Sequence, residues 1–467
     1  MSLENREHHE ARIEVTFADA PDPLEVRVSR TSPGRYALHE FAKNVYSVSA
    51  RGPRSGALGV QRPDPHGWRV TGHGSGGTVV FAYTLYGDLV DGTYAGIDES
   101  HAHLNAPATF VWARGLEGRP VRLIFADLPR GWRVSSQLPA VGDDGRTVMA
   151  PDLAYLLDSP VEASDHEVYE WQVPGPWEEP QRRQTMRLAL HHLGTAEEAR
   201  AFVELAQAVA AELIAVFGEA PRFDYGTYTF LADYLPWADG DGMEHRNSTV
   251  LTSTRPLSTG AVDNLGTLAH ELVHAWSVER LRPRSLEPFD FERENPSGEL
   301  WFGEGFTSYY DDVVLRRAGA ISFERFVERV SGLVRSITAS PARAYGGPVD
   351  MSLRASFVDA ASWVDPTNVA NTFFSYYSYG AALGLALDLE LRARGATGLD
   401  DFMAALWRRF GRDETPYTNE DLRSALAEWS GDKRWAEELF ERYVFGSELP
   451  DYQRLLATVG LELQRAR

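Results

Sequence analysis

Residues 264–281 read NLGTLAHELVHAWSVERL, and the apolar positions in this run recur at helical spacing. Within it His270 and His274 stand four residues apart, so a helix presents both imidazoles on one face, with Glu271 beside them. Two such imidazoles can reach one Zn2+, and the neighbouring carboxylate can take a proton from bound water. A catalytic zinc usually has three protein ligands and keeps one position for water, so a third ligand must come from elsewhere in the chain. The sequence contains no cysteine, which leaves a carboxylate as the natural choice.

Glu304, in LWFGEGFTSYYDD, meets that need: it lies 30 residues after His274, opens a second helical stretch and sits among apolar and small residues. Glu292, Glu294 and Glu299 are closer but stand in a polar loop, where solvated charges are expected. Asp311 and Asp312, further along the helix of Glu304, either orient a ligand imidazole from behind or face solvent.

Outward from this motif the chain changes character. From residue 13 to about 170, Gly and Pro punctuate runs that alternate apolar with polar; IEVTF at 13–17, LEVRV at 24–28, TVVFAYTL at 78–85 and PVRLIF at 120–125 predict strands. The Pro- and charge-rich stretch from Trp171 to Gln184 predicts a linker before the strand TMRLALHHL. Thr195, with Glu198 three residues on, carries a capping-box signature, and the helix it starts should stop at Gly218. YGTYTFL at 225–231 and STVLTS at 248–253 again predict strands. After Glu304 nearly everything predicts helix, including FERFVERVSGLVRSI, YGAALGLALDLELRAR and TNEDLRSALAEW, the last capped by Thr418 and Asp421. The expected protein is a multidomain α+β chain. It has a β-rich N-terminal domain over 1–175, a mixed domain bearing the metal motif over 176–320 and an α-helical domain over 321–467.

The 467 residues suffice for about three domains. A composition 43% hydrophobic and 11% aromatic is that of a globular protein rather than a disordered one. With 46 basic against 67 acidic residues the net charge is −21, which offers no basic field for a phosphate backbone or an anionic lipid surface. Nucleic acid and membrane are therefore not expected partners. No run approaches the ~18 apolar residues of a membrane helix, and the opening MSLENREHHEAR lacks the apolar stretch of a signal peptide. As written the chain is expected in the cytoplasm; a removed leader would make it periplasmic or secreted. The oligomeric state is not legible.

Several motifs together are similar to those of a known family. HELVHAW followed by WFGEGFTSYYDD, DGTYAGIDESHAHLNAPATF in the β half, GMEHRNSTVL before the motif helix, FFSYYSYG after it and TPYTNEDLRSAL near the end resemble the glycyl aminopeptidase family of gluzincin metallopeptidases. The resemblance covers most of the chain and implies a thermolysin-like zinc domain with one Zn2+ per chain. His270, His274 and Glu304 then match the zinc ligands, and Glu271 the general base. Glu244, preceded by Gly242 and Met243, matches the carboxylate that holds the substrate's free α-ammonium. Tyr377 matches the tyrosine whose hydroxyl stabilises the oxyanion. The implied activity is removal of an N-terminal residue, preferably Gly or Ala, from peptides with a free N-terminus. The alternatives are a zinc endopeptidase or other gluzincin hydrolase, and a catalytically silent peptide-binding protein. The intact HExxH motif, Glu304 and Tyr377 argue for the enzyme.

The sequence also departs from the family. Tyr379 stands where relatives usually carry Lys, which should alter the electrostatics of the transition state. Asp241 stands where Gly is usual and should add negative charge near the ammonium site. Relatives often continue into a PDZ domain, for which this chain leaves no room after its helical end. His101 and His103 alternate on an extended segment and so share one face. With no third ligand of legible placement, they are read as a hydrogen-bonded structural pair where the β domain meets the active site. His191 and His192, adjacent in a strand, point to opposite faces and make poor joint ligands.

Overall fold

The computed structural model describes residues 1–53, 56–360 and 365–464. In the N-terminal half, strand Glu10–Ala20 pairs with Gly77–Tyr86, which pairs in turn with Val45–Arg51. A four-stranded sheet runs in the order Gly59–Asp64, Gly67–Thr71, Leu24–Arg27, Trp112–Ala113. Another runs Arg133–Ser136, Val161–Ser164, His101–Leu104, Ala95–Ile97. Period-2 alternation explains the outer strands, where Ile13, Leu24 and Val26 turn inward to a common core, whereas Gly77–Tyr86 and His101–Leu104 bring Phe81 and Leu104 to that core from strands buried along most of their length. The strands expected at 13–17, 24–28, 78–85 and 120–125 lie in this half.

The expected linker from Trp171 to Gln184 is only partly a loop. Glu167–Val173 is a strand that pairs antiparallel with Gln184–His192, and Trp171 stacks on Phe230 at 6.0 Å. The connection shrinks to residues 174–183, where Pro174, Pro176 and Pro180 have no N–H to offer a ladder. This hairpin opens a five-stranded sheet ordered Glu167–Val173, Gln184–His192, Thr227–Tyr234, Ser248–Ser253, Asp241–His245. The middle three strands are parallel, and both edge strands, Glu167–Val173 and Asp241–His245, are antiparallel to their neighbours.

The capping box forms as its residues require. The Glu198 N–H donates to Thr195 Oγ1 at 3.2 Å, the Thr195 N–H donates to Glu198 Oε2 at 2.8 Å, and helix Ala196–Phe217 ends at Gly218 with φ +83°. The motif helix is shifted from its expected span: it runs Leu257–Val273 and stops short of residue 281. Beyond it the buried Arg280 guanidinium donates to the Ala275 carbonyl at 2.8 Å, and Trp276 stacks on Phe217 at 4.9 Å. Side-chain capping and an aromatic anchor thus turn the chain where periodicity alone would continue the helix.

Downstream, helices Gly305–Arg317 and Tyr376–Ala393 cross so closely that a Cβ on Gly305 would lie 2.3 Å from the Cα of Gly380. One continuous core runs from Met186 and Leu213 through Leu272, Trp276 and Phe302 to Leu389, Leu422 and Leu456. The expected boundary at 320/321 therefore crosses a shared core, and the one at 175/176 falls inside the hairpin loop. The architecture is α+β: a β-rich N-terminal region followed by a sheet-and-helix region that holds the metal motif. Among the described residues no helix is long and apolar enough to cross a membrane.

Candidate metal centre

The motif helix and the helix after Glu304 bring three ligand atoms together. His270 Nε2 lies 3.5 Å and His274 Nε2 3.2 Å from Glu304 Oε2. Donors at the corners of a tetrahedron with metal bonds of about 2.0–2.1 Å stand about 3.3–3.4 Å apart, so this spacing suits zinc. The carbonyl of Ser277 can only accept, so the His274 Nδ1 it meets at 2.9 Å carries a proton, and Nε2 is the nitrogen turned to the cluster. His270 Nδ1 faces Asp311 Oδ2 at 3.3 Å, whereas Asp312 turns away to pair with Arg329. Asp311 therefore lies where it can orient His270, whereas Asp312 is half-buried in an ion pair rather than free in solvent.

Glu304 sits at the junction between the short helix Leu300–Gly303 and Gly305–Arg317, almost wholly buried, and its second oxygen accepts a hydrogen bond from the Tyr36 hydroxyl. Burial works against its charge, but His274 and His270 outweigh that and hold its carboxyl well below the usual carboxylate range. Of the acids in the preceding loop Glu294 is exposed as expected, but the other two are less solvated. Glu299 is buried and accepts from the Ser285 and Ser297 hydroxyls at 3.0 and 3.1 Å, and Glu292 pairs with Arg27 at 3.2 Å and Arg114 at 2.5 Å.

Glu271 and Glu244 each lie with a carboxylate oxygen in one group with His274, all within 4.8 Å of one another. Burial pushes the Glu271 carboxyl up to about 8 against the opposing pull of His270 and His274. Burial also raises Glu244. One oxygen of each is buried without a hydrogen-bond partner. Glu244 belongs to the edge strand Asp241–His245, and Gly242 of that strand packs so closely that a Cβ on it would lie 2.2 Å from Glu271 Oε1. Met243 is fully buried. Tyr377, half-buried in the first turn of Tyr376–Ala393, stacks over His270 at 6.0 Å between ring centroids. Burial first, and then the charge of Glu304, holds its phenol well above the ordinary tyrosine range, so it stays a neutral donor.

The two departures look different in three dimensions. Tyr379 is fully buried, packs edge-on against Phe374 at 5.5 Å and feels Arg343 and Asp350 rather than the metal cluster. Asp241 is ion-paired with Arg35 and accepts the Gly92 N–H at 2.9 Å, so its charge is balanced. Arg35 and Tyr36 belong to a loop of the N-terminal region that sequence reasoning passed over. At Gly34, with φ +78°, a Cβ would lie 2.5 Å from Met243 Sδ and 2.8 Å from Glu244 Oε2, so only glycine lets this loop reach the edge strand. The signal available was the turn-forming TSPGRY, residues 31–36, which marks a loop but not its destination. Two cavities of about 360 and 730 Å3, one among Trp301, Phe306 and Leu426 and one among Phe17, Trp112 and Leu156, lie away from the cluster, which is singled out by its chemistry instead.

Comparison with known families finds two matches. Residues 1–165 match the Peptidase M61 N-terminal domain, and residues 263–383 match M61 glycyl aminopeptidase. The second span contains His270, Glu271, His274, Glu304 and Tyr377. A search of curated protein sequences returns no match. Among solved structures the chain is similar to an aminopeptidase N family protein from Idiomarina loihiensis, at 22% identity and TM-score 0.85 over 99% of this chain and 78% of that one. It is also similar to an M1 zinc metallopeptidase variant from Deinococcus radiodurans bound to a Tyr-Ser-Ala substrate, at 14% identity and TM-score 0.52 over 95% and 92%. A third likeness is to leukotriene A4 hydrolase from Saccharomyces cerevisiae, at 16% identity and TM-score 0.53 over 98% and 68%. At such identities the likeness is one of fold.

Proposed function

The chain belongs to the M61 glycyl aminopeptidase family, a family of zinc metallo-aminopeptidases, and from that premise we propose that it removes N-terminal Gly, or Ala, from peptides with a free α-amino group, using one Zn2+ held by His270, His274 and Glu304. The observation that carries this reading is the convergence of Glu271 and Glu244 beside His274. One carboxyl there can serve as base, and the other as anion for an ammonium.

When bound, the metal would supply a Lewis acid that polarises the scissile carbonyl and eases deprotonation of water. Glu271 takes that proton and returns it to the leaving amine, a task suited to a carboxyl placed beside the ligand imidazoles. Tyr377 donates to the carbonyl oxygen as it gains charge. Glu244, raised by burial, regains its charge by pairing with the substrate's ammonium. An endopeptidase must leave that position open, because its substrate continues there. A small first residue is supported by the close seating of Gly34 on Met243 and Glu244 and by the aromatic wall of Tyr36, Tyr376 and Tyr377.

The test is hydrolysis of glycine and alanine chromogenic amides and of their N-acetylated forms, with and without chelator. Only the free amines should react, and chelation should abolish activity until Zn2+ is restored. Cleavage of the blocked forms would point to an endopeptidase, and zinc uptake without hydrolysis to a silent binding protein. Glu271→Gln should keep zinc and lose about 10²–10⁴ of turnover; unchanged turnover removes Glu271 from the reaction. Glu244→Gln should raise KM for free-amine substrates, and no change there would remove the ammonium role.

A further inference from the structure

A second cluster of ligand-type side chains lies where the N-terminal region meets the five-stranded sheet. His103, on His101–Leu104, stands directly opposite Glu162 of Val161–Ser164 across their antiparallel pairing. Asp233 comes from Thr227–Tyr234 in the sheet of the other region. All three are 0% exposed. His103 Nδ1 lies 3.3 Å from Asp233 Oδ2 and 3.6 Å from Glu162 Oε2.

These contacts are too long for hydrogen bonds between buried charges, which close to about 2.7–2.9 Å. Both ring nitrogens of His103, both oxygens of Glu162 and Oδ2 of Asp233 are buried without a hydrogen-bond partner. The nearby His166 shows what a satisfied imidazole looks like here, with serine hydroxyls at 2.8 Å on both nitrogens. Glu162 thus has no hydrogen-bond partner and Asp233 only His191, on its other oxygen, and burying two carboxylates so poorly paired costs several kcal/mol, which an unfilled cluster does not offset. A divalent cation cancels their charge, and donor spacings of 3.3 and 3.6 Å match those of the His270, His274 and Glu304 cluster, 3.2 and 3.5 Å. The surroundings are also those of ligands: His191 Nδ1 meets the other oxygen of Asp233 at 3.3 Å, and His101, on the face of His103, has an unpartnered Nε2.

We propose that His103, Glu162 and Asp233 form a second metal site, separate from the catalytic one, that takes a divalent ion of the zinc kind and ties the N-terminal region to the catalytic sheet. An imidazole with two carboxylates favours zinc over magnesium or calcium, which prefer all-oxygen shells. The N-terminal region delivers Gly34, Arg35 and Tyr36 to the catalytic cluster, so an ion at this seam would hold them in register.

The test is zinc stoichiometry on the full chain by elemental mass spectrometry after exposure to Zn2+ and gel filtration. The native chain should hold two equivalents, and the double variant His270→Ala/His274→Ala, which leaves the second cluster intact, should hold one. Adding Glu162→Gln to that double variant should lower it to none, and His103→Ala alone should retain one. A double variant without zinc, or a triple variant that still holds one equivalent, overturns the proposal. Since the double variant does not touch the second cluster, the outcome stands even where His103→Ala fails to fold.

Discussion

The Tyr36 hydroxyl donates to the Glu304 oxygen that does not face the two imidazoles, so it fixes the orientation of a carboxylate destined for a metal. Tyr36→Phe should leave the fold intact and weaken zinc affinity by about 10- to 100-fold. Competition with a graded chelator measures this directly, and an unchanged midpoint would show that Glu304 needs no such support. His39, in the same N-terminal loop region, stacks on Phe41 at 5.1 Å with Nε2 buried and unpartnered. Burial first, then the cations Arg35 and Lys43, push its imidazole down to about 4, with Glu40 opposing. The folded protein therefore binds fewer protons than the unfolded chain between about 4 and the ordinary 6.5, so this contribution is complete above 6.5 and is lost as pH falls toward 4. His39→Phe should flatten the acid slope of the melting temperature over that window, corresponding to on the order of 3 kcal/mol. Parallel slopes for variant and native chain would refute it. The chemistry of His270, Glu271, His274 and Glu304 was legible from residue type and spacing, whereas Tyr36 and Asp233 carried no signal because their partners lie hundreds of positions, or a whole sheet, away.

Among the elements, the capped helix Ala196–Phe217 and the strand Ser248–Ser253 lie where local sequence puts them, the first specified by its caps and the second by a short run rich in β-branched residues. The motif helix and the strand Glu167–Val173 do not, because their limits depend on Arg280 and on a partner strand. The crossing of Gly305–Arg317 with Tyr376–Ala393 is the contact that sets Glu304 and Tyr377 in the same site. It depends on Gly380, where a Cβ would lie 1.7 Å from the Trp301 carbonyl oxygen and 2.7 Å from the Gly305 Cα. Gly380→Ala must push the helices apart and should cost at least about 1–3 kcal/mol in urea unfolding. It should also weaken zinc binding, since Glu304 lies between Trp301 and the displaced Gly305. Native stability in this variant would mean that the crossing is looser than it looks.

Across the whole molecule, the N-terminal region is part of the active centre rather than an appendage. Arg35 reaches over to Asp241 on the edge strand and also donates to Thr93 Oγ1 at 2.8 Å. Arg35→Ala leaves a largely buried carboxylate unpaired and should destabilise the protein by about 2–3 kcal/mol. The double variant Arg35→Ala/Asp241→Gly removes the orphaned charge and should recover most of that loss. Additive losses in this cycle would show that the pair does not couple the two regions.

Local sequence determined the helix that carries two imidazoles and a base on one face, the need for a carboxylate as third ligand in a chain without cysteine, and the passage from β-rich to helical. Those features depend on residue type and on spacings within one or two helical turns. Tertiary structure alone decided that one core joins the sheet to the C-terminal helices and that Asp241 is neutralised by Arg35. It also decided that Tyr379 faces the core and that His103 meets Glu162 and Asp233. Each of these pairs residues far apart in the chain, and such pairings follow from how sheets and helices stack, which no short-range pattern encodes.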